Sequence, residues 1–201
     1  MAAMDGRLAK GQTTRDQLVT AARDLFARDG YEATSTEAVL QRSGISRGSL
    51  YHHFPDKKAL FEAVLIRVHA ETVQITIKAA QGSADGVEAL KAGCLAWIKL
   101  ARDPAISRIV LIDAPSVVGW RRWREIDAEH SFGVVKAGLR AAAKRDLLPE
   151  QSIEPVAHIL LAALNELAQV IATSQDSKRA EREAIAAFEL LMQRLLGDRS
   201  R

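Results

Sequence analysis

Four side chains that can form hydrogen bonds stand close together in one short segment: Arg47, Ser49, Tyr51 and His52. The surrounding residues predict a short helix that begins at Ser46. Leu50 and Phe54, four residues apart, can both face a core on that helix. The polar side chains then project to its other sides, where guanidinium, hydroxyl and imidazole groups can reach base edges or phosphates. The segment therefore favours contact with nucleic acid.

Other chemistries are poorly supported by the spacing of the polar residues. His52 and His53 are adjacent and would point about 100° apart on a helix, and no cysteine or third histidine lies nearby in the sequence to complete a metal site. Asp127, His130 and Ser131 lie on one predicted helix, without a nucleophile elbow or a glycine-rich phosphate loop. The sequence thus predicts no catalytic residue, no metal site and no cofactor.

The polar segment lies within a predicted helix-turn-helix. A short helix over 35–43 runs into Gly44, a second one begins at Ser46, and a third, longer helix begins at Asp56. Two short helices joined by a tight turn containing glycine are typical of this motif, whose second helix enters the major groove. Gly48 lies inside that second helix, where glycine costs about 1 kcal/mol relative to alanine. Its missing side chain would allow a close approach to the groove; a simple helix defect is the alternative.

Charge and composition are consistent with an intracellular DNA-binding protein. The formal net charge is only +3. Between residues 42 and 58, however, Asp56 is the single acid beside a basic set that phosphate contact would use: Arg42, Arg47, Lys57 and Lys58. A solvated helix face would look similar. The N-terminus lacks an apolar signal region, no run approaches 18 apolar residues, and the single Cys94 is expected to be a buried small hydrophobe. We therefore expect a cytoplasmic protein without membrane contact.

Helical periodicity runs through almost the whole chain and predicts an all-α fold of about nine helices. The first three helices would form a helix-turn-helix DNA-binding domain over 14–60, preceded by a flexible arm over 1–13. A helical ligand-binding and dimerisation domain would cover 61–196. Gly30 is expected to end the first helix at about residue 28. The remaining helices are predicted over 35–43, 46–54, 56–80, 87–102, 105–112, 118–145, 153–173 and 177–196.

The segments GYEATS at 30–35 and RSGISRGSLYHHFPDKKAL at 42–60 resemble the DNA-binding domain of the TetR family of transcriptional regulators. The resemblance covers residues 14–64. It implies that the recognition helix contacts DNA through Arg47, Gly48, Tyr51 and His52, with Ser49 on the same helix. It also implies that Thr34 and Ser35 hold a phosphate. Lys58, in the first turn of the next helix, should meet a phosphate with the help of that helix dipole.

The segment 109–127 is similar to one recurring C-terminal variety of the same family, which implies a sensor domain without naming what is sensed. Trp123, Asp127 and His130 continue one helical face, and an apolar surface with a few polar groups is typical of small-molecule sites. The alternative is ordinary core with a wet edge. The residues predicted to bind a small molecule are Trp97, Ile109, Trp120, Trp123, Asp127 and His130.

The last two predicted helices are apolar on more than one side, so each needs more than one packing partner. The family resemblance implies that they pair with their symmetry mates in a homodimer. Twofold symmetry would then require a near-palindromic operator, with half-sites about 34–36 Å apart or at a larger spacing. The expected function is a repressor released from double-stranded DNA by an unidentified small molecule. The alternative is a regulator that responds to no ligand, or only to a protein partner, and the sequence leaves repressor against activator open.

Overall fold

A computed structural model describes the backbone of residues 2–197 and the side chains of residues 13–197. Within that part of the chain every regular element is helical, which confirms the predicted all-α fold. The elements in chain order are α1 Ala2–Ala33, α2 Thr36–Ser43, α3 Arg47–His53, α4 Lys57–Ala80, α5 Gly86–Leu100, a π-helix Ile106–Asp113, α6 Ala114–Val117, α7 Trp120–Ala143, a 3-10 turn Glu150–Ser152, α8 Ile153–Thr173 and α9 Ser177–Leu196.

The first helix differs from the prediction at both ends. Its backbone is helical from Ala2, through residues expected to form a flexible arm, and Met1 lies outside the described residues. At the other end the helix does not stop at Gly30 but kinks there, with φ 82° and ψ 171°, and continues to Ala33. Glycine alone adopts this conformation readily, because it has no Cβ to clash. The proposed domain boundaries stay a prediction.

The helix predicted over 118–145 begins later than expected. Pro115 lies in the first turn of the short α6, and Gly119 has a φ of 87°, which separates α6 from α7. The preceding stretch, predicted as an ordinary helix over 105–112, is a π-helix. A π-helix closes its hydrogen bonds one residue later than an α-helix, and apolar periodicity does not distinguish the two over so short a stretch.

The first three helices and the start of α4 share one small core. Phe61 of α4 makes edge contacts with Phe26 and Tyr31, with ring centroids 5.1 Å apart in each case. The hydroxyls of Ser35 and Ser46 cap α2 and α3, and the Asp56 carboxylate caps α4 by accepting from the Ala59 amide at 2.7 Å. These local bonds satisfy amides that a helix start leaves without partners.

The remaining helices pack as a bundle around the second half of α4. Helix α4 packs against both α1 and α5, so one uninterrupted helix belongs to both regions. Its 24 residues correspond to about 36 Å at 1.5 Å per residue. Helix α8 packs against the π-helix, α7 and α9.

One described segment, Glu150–Thr173, is long and apolar enough to cross a membrane by length and composition, with a mean hydropathy of 1.5. The sequence analysis expected no such segment. Core helices of soluble proteins reach the same values. The segment consists mainly of α8, whose inner residues have partners in the bundle, among them Leu160, Leu164 and Ile171.

Candidate nucleic-acid interface and buried cavity

The recognition-helix candidate α3 presents its polar side chains as the sequence analysis expected. Leu50 and Phe54 are buried in the core of the first three helices. Tyr51 is 45% exposed, Arg47, Gly48 and His52 are exposed, and Ser49 is half-buried at the first turn. The structure therefore brings these five predicted contacts to one exposed helix, although their contact with DNA stays a prediction.

Gly48 has open space where a side chain would stand. A Cβ built on it meets no atom of the described residues within 4 Å, so none of them requires a glycine there. Packing within the chain does not account for this glycine. The open space agrees with close approach to a partner, since a missing Cβ lets another surface come nearer to the backbone, and it agrees equally with a simple helix defect.

Arg47 is not free on this surface. Its guanidinium pairs with the Glu37 carboxylate of α2, and both side chains are more than half exposed. An exposed pair of this kind contributes little to stability, because water and salt screen its charges. A phosphate or a guanine edge can therefore displace Glu37 at small cost, and until then the pair holds Arg47 in place.

The two residues predicted to hold a phosphate at the start of α2 lie in different surroundings. Ser35 is exposed, and its hydroxyl accepts a hydrogen bond from the Ala38 amide at 3.1 Å. Thr34 is only 2% exposed, and its hydroxyl donates to the Gly30 carbonyl at 2.8 Å. Thr34 therefore stabilises the kink of α1 through this hydrogen bond and does not lie on the exposed surface, where a phosphate contact was predicted.

Two neighbouring lysines at the start of α4 have different tasks. Lys58 is exposed in the first turn, as a phosphate contact requires. The Lys57 ammonium instead donates to the carbonyls of Tyr31 at 2.9 Å and Thr34 at 3.1 Å, and lies 4.1 Å from the centre of the Tyr31 ring. The sequence analysis treated Lys57 only as part of the positive patch and missed this bond between α4 and the end of α1.

A second set of contacts joins the end of α1 to the π-helix. The Tyr31 amide donates to the Asp113 carboxylate at 2.8 Å, and Arg108 Nε approaches the same oxygen at 3.3 Å. The Arg108 guanidinium lies against Gly30 so closely that a Cβ on Gly30 would overlap it. Asp113 lies 82 positions after Tyr31 in the chain, and no local pattern indicated either Asp113 or Arg108.

A cavity of about 80 Å³ lies among α4, α5, α7 and α8. Its lining is mostly apolar, and two of the residues predicted to bind a small molecule, Trp97 and Asp127, belong to it. The sequence analysis missed the other side chains that bring polar groups or sulfur to the cavity: Thr72, Thr76, Cys94, Ser131 and Asn165. Cys94 is buried as predicted, and burial raises the pKa of its thiol to about 12.

The Asp127 carboxylate is the most unusual group in the cavity. It is 4% exposed, and it accepts hydrogen bonds from Asn165 Nδ2 at 2.6 Å and from the Ser131 hydroxyl at 3.3 Å. Burial raises its pKa above the ordinary range of an aspartate, and the hydrogen bond from Asn165 opposes that rise.

The other four predicted ligand residues do not line the cavity. Trp123 and Ile109 are fully buried core residues, and the indole N–H of Trp123 has no hydrogen-bond partner among the described residues. Trp120 is 61% exposed and tilts against Trp123. His130 stacks on the buried His69 of α4, with ring centroids 6.0 Å apart. Burial, reinforced by His130, lowers the pKa of His69 to about 4.

Potential metal ligands do not cluster in the part of the chain that the structure describes. No three His, Cys, Asp or Glu side chains there come together as metal ligands would. His52 and His53 lie edge to face on α3, with ring centroids 5.3 Å apart.

Comparison with known proteins covers both regions. The family described as bacterial regulatory proteins, tetR family, matches residues 18–64, and the tetracyclin repressor-like C-terminal domain matches residues 87–195. The regulator UidR of Escherichia coli K12 is 38% identical over 64 residues, which are 32% of this chain and 33% of UidR. The chain thus matches about a third of that relative's length. The TetC protein of transposon Tn10 from Escherichia coli is 29% identical over 130 residues, 63% of this chain and 64% of TetC.

A solved structure is similar over nearly the full length. It is a TetR-family transcriptional regulator from Pectobacterium atrosepticum, with 30% identity and a TM-score of 0.83, and the match covers 94% of this chain and 97% of that one. The helix-turn-helix is thus joined to a C-terminal domain of matching family type. The chain belongs to the TetR family of bacterial transcriptional regulators.

Proposed function

We propose that the chain acts in the cytoplasm as a homodimeric repressor that leaves its operator when a small molecule occupies the cavity. The observation that carries this proposal is the continuity of α4. Its first turn holds the exposed Lys58, a proposed phosphate contact, while Thr72 and Thr76, further along the same helix, line the cavity. A ligand that moves one end of a continuous helix also moves the other.

The DNA contact in this proposal uses α3 in the major groove. Arg47 leaves Glu37 and reaches a base edge or phosphate, Tyr51 and His52 contact neighbouring positions, and Gly48 permits the close approach. Ser35 and Lys58 contact phosphates on either side and fix the register. Thr34, held to Gly30 inside the fold, is expected to act by keeping the start of α2 in place and not by direct contact.

Release would follow from a shift between two conformers. A ligand that binds one conformer more tightly shifts the population towards it by its difference in affinity. The α1 kink is bonded to α4 through Lys57 and to the π-helix through Asp113. A displacement of α4 or the π-helix therefore reaches the helix-turn-helix through defined bonds. In a dimer it changes the separation of the two α3 helices.

The dimer would form through an apolar stripe that lies on the outer side of α8 and α9. Ile159 is 63% exposed, Val170 49% and Leu190 55%, whereas Leu164 and Phe188 of the same helices face the core. Exposed apolar residues at helical spacing on neighbouring helices mark an interaction surface.

An Ile159→Glu variant should dissociate the dimer in light-scattering measurements, because twofold symmetry places the added charge in the interface twice. Gln151→Glu, near the start of the same helix, should leave the dimer intact.

The direct test is an anisotropy titration against DNA upstream of the chain's own gene and neighbouring promoters. We expect salt-sensitive, sequence-selective binding there, with a twofold-symmetric footprint. Random DNA of equal length is the control. Equal affinity for every sequence would contradict the proposal. Selective binding that no cavity ligand weakens would instead support the alternative, a regulator that acts constitutively or through a protein partner.

A further inference from the structure

Asp127 gives the cavity a charge that no neighbouring side chain balances. It is the only Asp or Glu among the described residues that line the cavity, and none of those residues is Lys, Arg or His. Arg124 and His130, three positions to either side on α7, act on the carboxylate only from a distance, and neither forms an ion pair with it among the described residues.

The carboxylate already has hydrogen-bond donors, so what it lacks is positive charge. Asn165 donates to one oxygen and Ser131 to the other, and both donors are neutral. Removing a carboxylate from water without a cationic partner is costly, and neutral hydrogen bonds compensate only part of that cost. A bound cation would supply the missing part.

The remaining polar groups of the cavity are mostly acceptors. The Thr72 hydroxyl donates to the Val68 carbonyl at 2.7 Å, and the Thr76 hydroxyl donates to the Val73 carbonyl at 2.9 Å. The Ser131 hydroxyl proton is likewise used by Asp127. Each of these oxygens has lone pairs left but no proton to offer. A ligand that fits this set must donate hydrogen bonds and accept few.

The apolar part of the lining favours an organic cation over an inorganic one. Trp97, Leu161 and Leu164 contribute apolar surface, and an aromatic face also attracts a cation. The volume of about 80 Å³ limits the ligand to a small molecule. Anionic ligands find no basic side chain among the described lining residues and would meet the Asp127 carboxylate.

We propose that the cavity binds a small organic cation, an ammonium group on a largely apolar body, with Asp127 as its counter-ion. This inference rests on the proposed function in one respect, namely that the cavity is the effector site. The ammonium donates to Asp127 and to the free lone pairs of the threonine hydroxyls, while the apolar body packs against Trp97 and the leucines.

Three probes of nearly equal shape test the charge preference on the full chain at pH 7: benzylammonium, benzyl alcohol and benzoate. Isothermal titration, supported by the fluorescence of the tryptophans, measures their affinity. We expect benzylammonium to bind at least about tenfold more tightly than benzyl alcohol, with benzoate weakest. In the Asp127→Asn variant, which keeps the shape and can still accept from Asn165, the preference for the cation should vanish. Glu129→Gln, which removes one negative charge from the exposed side of the same helix, should retain it.

The order of the three affinities in the wild-type protein tests the inference even if a variant folds poorly. If benzyl alcohol or benzoate binds as tightly as benzylammonium, or if none of the three and no homologue longer by one methylene binds, the inference is wrong. The same result follows if the Asp127→Asn variant keeps the preference. An operator-release assay separates the two proposals. Binding of the cation without release from DNA contradicts the repressor mechanism alone, and release by a neutral or anionic compound contradicts the ligand class alone.

Discussion

The DNA-facing region and the cavity region place their functional groups in opposite surroundings. In α2 and α3 the important side chains are exposed, stand within a few residues of one another, and lie on helices whose first turns are capped by Ser35 and Ser46. Around the cavity they are buried or half-buried and come from four helices, so that Asp127 meets Asn165 across 38 positions of the chain.

That difference has a physical cause. A DNA duplex is a rigid surface, and a protein that reads it must present protruding groups on a stiff helix. A small molecule is instead enclosed, so its site must form between elements that fold together. Changes in the first region should therefore alter binding and spare stability, whereas changes in the second should alter stability first.

The largest effect that this contrast predicts concerns two glycines in helices. Gly48 and Gly133 both have open space at the Cβ position and lie on exposed surface. Gly48→Leu should reduce operator affinity at least about a thousandfold, to the level of non-specific binding, because the added side chain keeps α3 away from the groove. Anisotropy measures the affinity and thermal unfolding the stability.

Gly133→Leu is the matched control and should leave operator affinity unchanged. Both variants should unfold at the wild-type temperature or above it, since leucine favours a helix over glycine by up to about 1 kcal/mol. Unimpaired DNA binding by Gly48→Leu would end the idea that exposed surface around α3 reads DNA.

The next effect concerns His69, which is buried in α4 within the C-terminal bundle but does not line the cavity. The pKa of His69 falls from 6.5 to about 4 on folding, so the unfolded chain binds the proton more tightly. Its contribution to stability is complete above pH 6.5 and is lost as the pH falls to about 4. His69→Gln should therefore remove about 3 kcal/mol of the acid destabilisation over that interval.

Denaturant unfolding at several pH values measures this slope. The raised pKa of Asp127 acts with the opposite sign, because the folded chain binds the Asp127 proton more tightly than the unfolded chain does. It remains in both proteins and cancels in the difference between them. His52→Gln, at an exposed position of α3, is the matched loss of one histidine with which the slope is compared. An unchanged slope in the His69→Gln variant would show that His69 is not buried as described.

The smallest effect concerns the kink of α1 at Gly30, which is bonded to α4 and to the π-helix. Gly30→Ala should cost about 2 kcal/mol, because its φ of 82° and ψ of 171° suit glycine alone. It should also weaken operator binding, since the new methyl group displaces Arg108. Gly82→Ala, with a φ of 83° and open space around it, should reduce stability without changing operator affinity. Equal operator affinity in both variants would show that the kink at Gly30 does not influence DNA binding.

Local signals in the sequence were sufficient for the first region. Caps, the Gly44 turn and the paired positions of Leu50 and Phe54 act within a few residues, so they predicted the helices and the exposed set. The burial of Thr34 was not predicted from local signals. Its hydroxyl is bonded to the Gly30 carbonyl at the kink of α1, and that kink packs against Arg108 of the distant π-helix.

The second region could be predicted only in part, since a helical pattern gives the faces of a helix but not its neighbours. Trp120 and Trp123 are three residues apart and looked equivalent, yet Trp123 is 1% exposed and Trp120 61%. Trp97 and Asp127, both predicted to bind a small molecule, do line the same cavity, and their contact with a ligand stays a prediction. Asn165 carried no signal, because its bond to Asp127 forms only in the folded chain. Ser131 lies four positions after Asp127 on one helix, and the sequence analysis considered that spacing only for a catalytic site.

The uninterrupted course of α4 has a consequence for how such a protein can change over evolutionary time. Each residue inserted or deleted in a helix rotates everything beyond it by about 100° and moves it by about 1.5 Å. A single deletion between Lys58 and Thr72 would therefore turn the cavity side chains away while leaving the DNA-facing end in place. Substitutions in the cavity can change which ligand is bound, but the number of residues between Lys58 and Thr72 must stay the same.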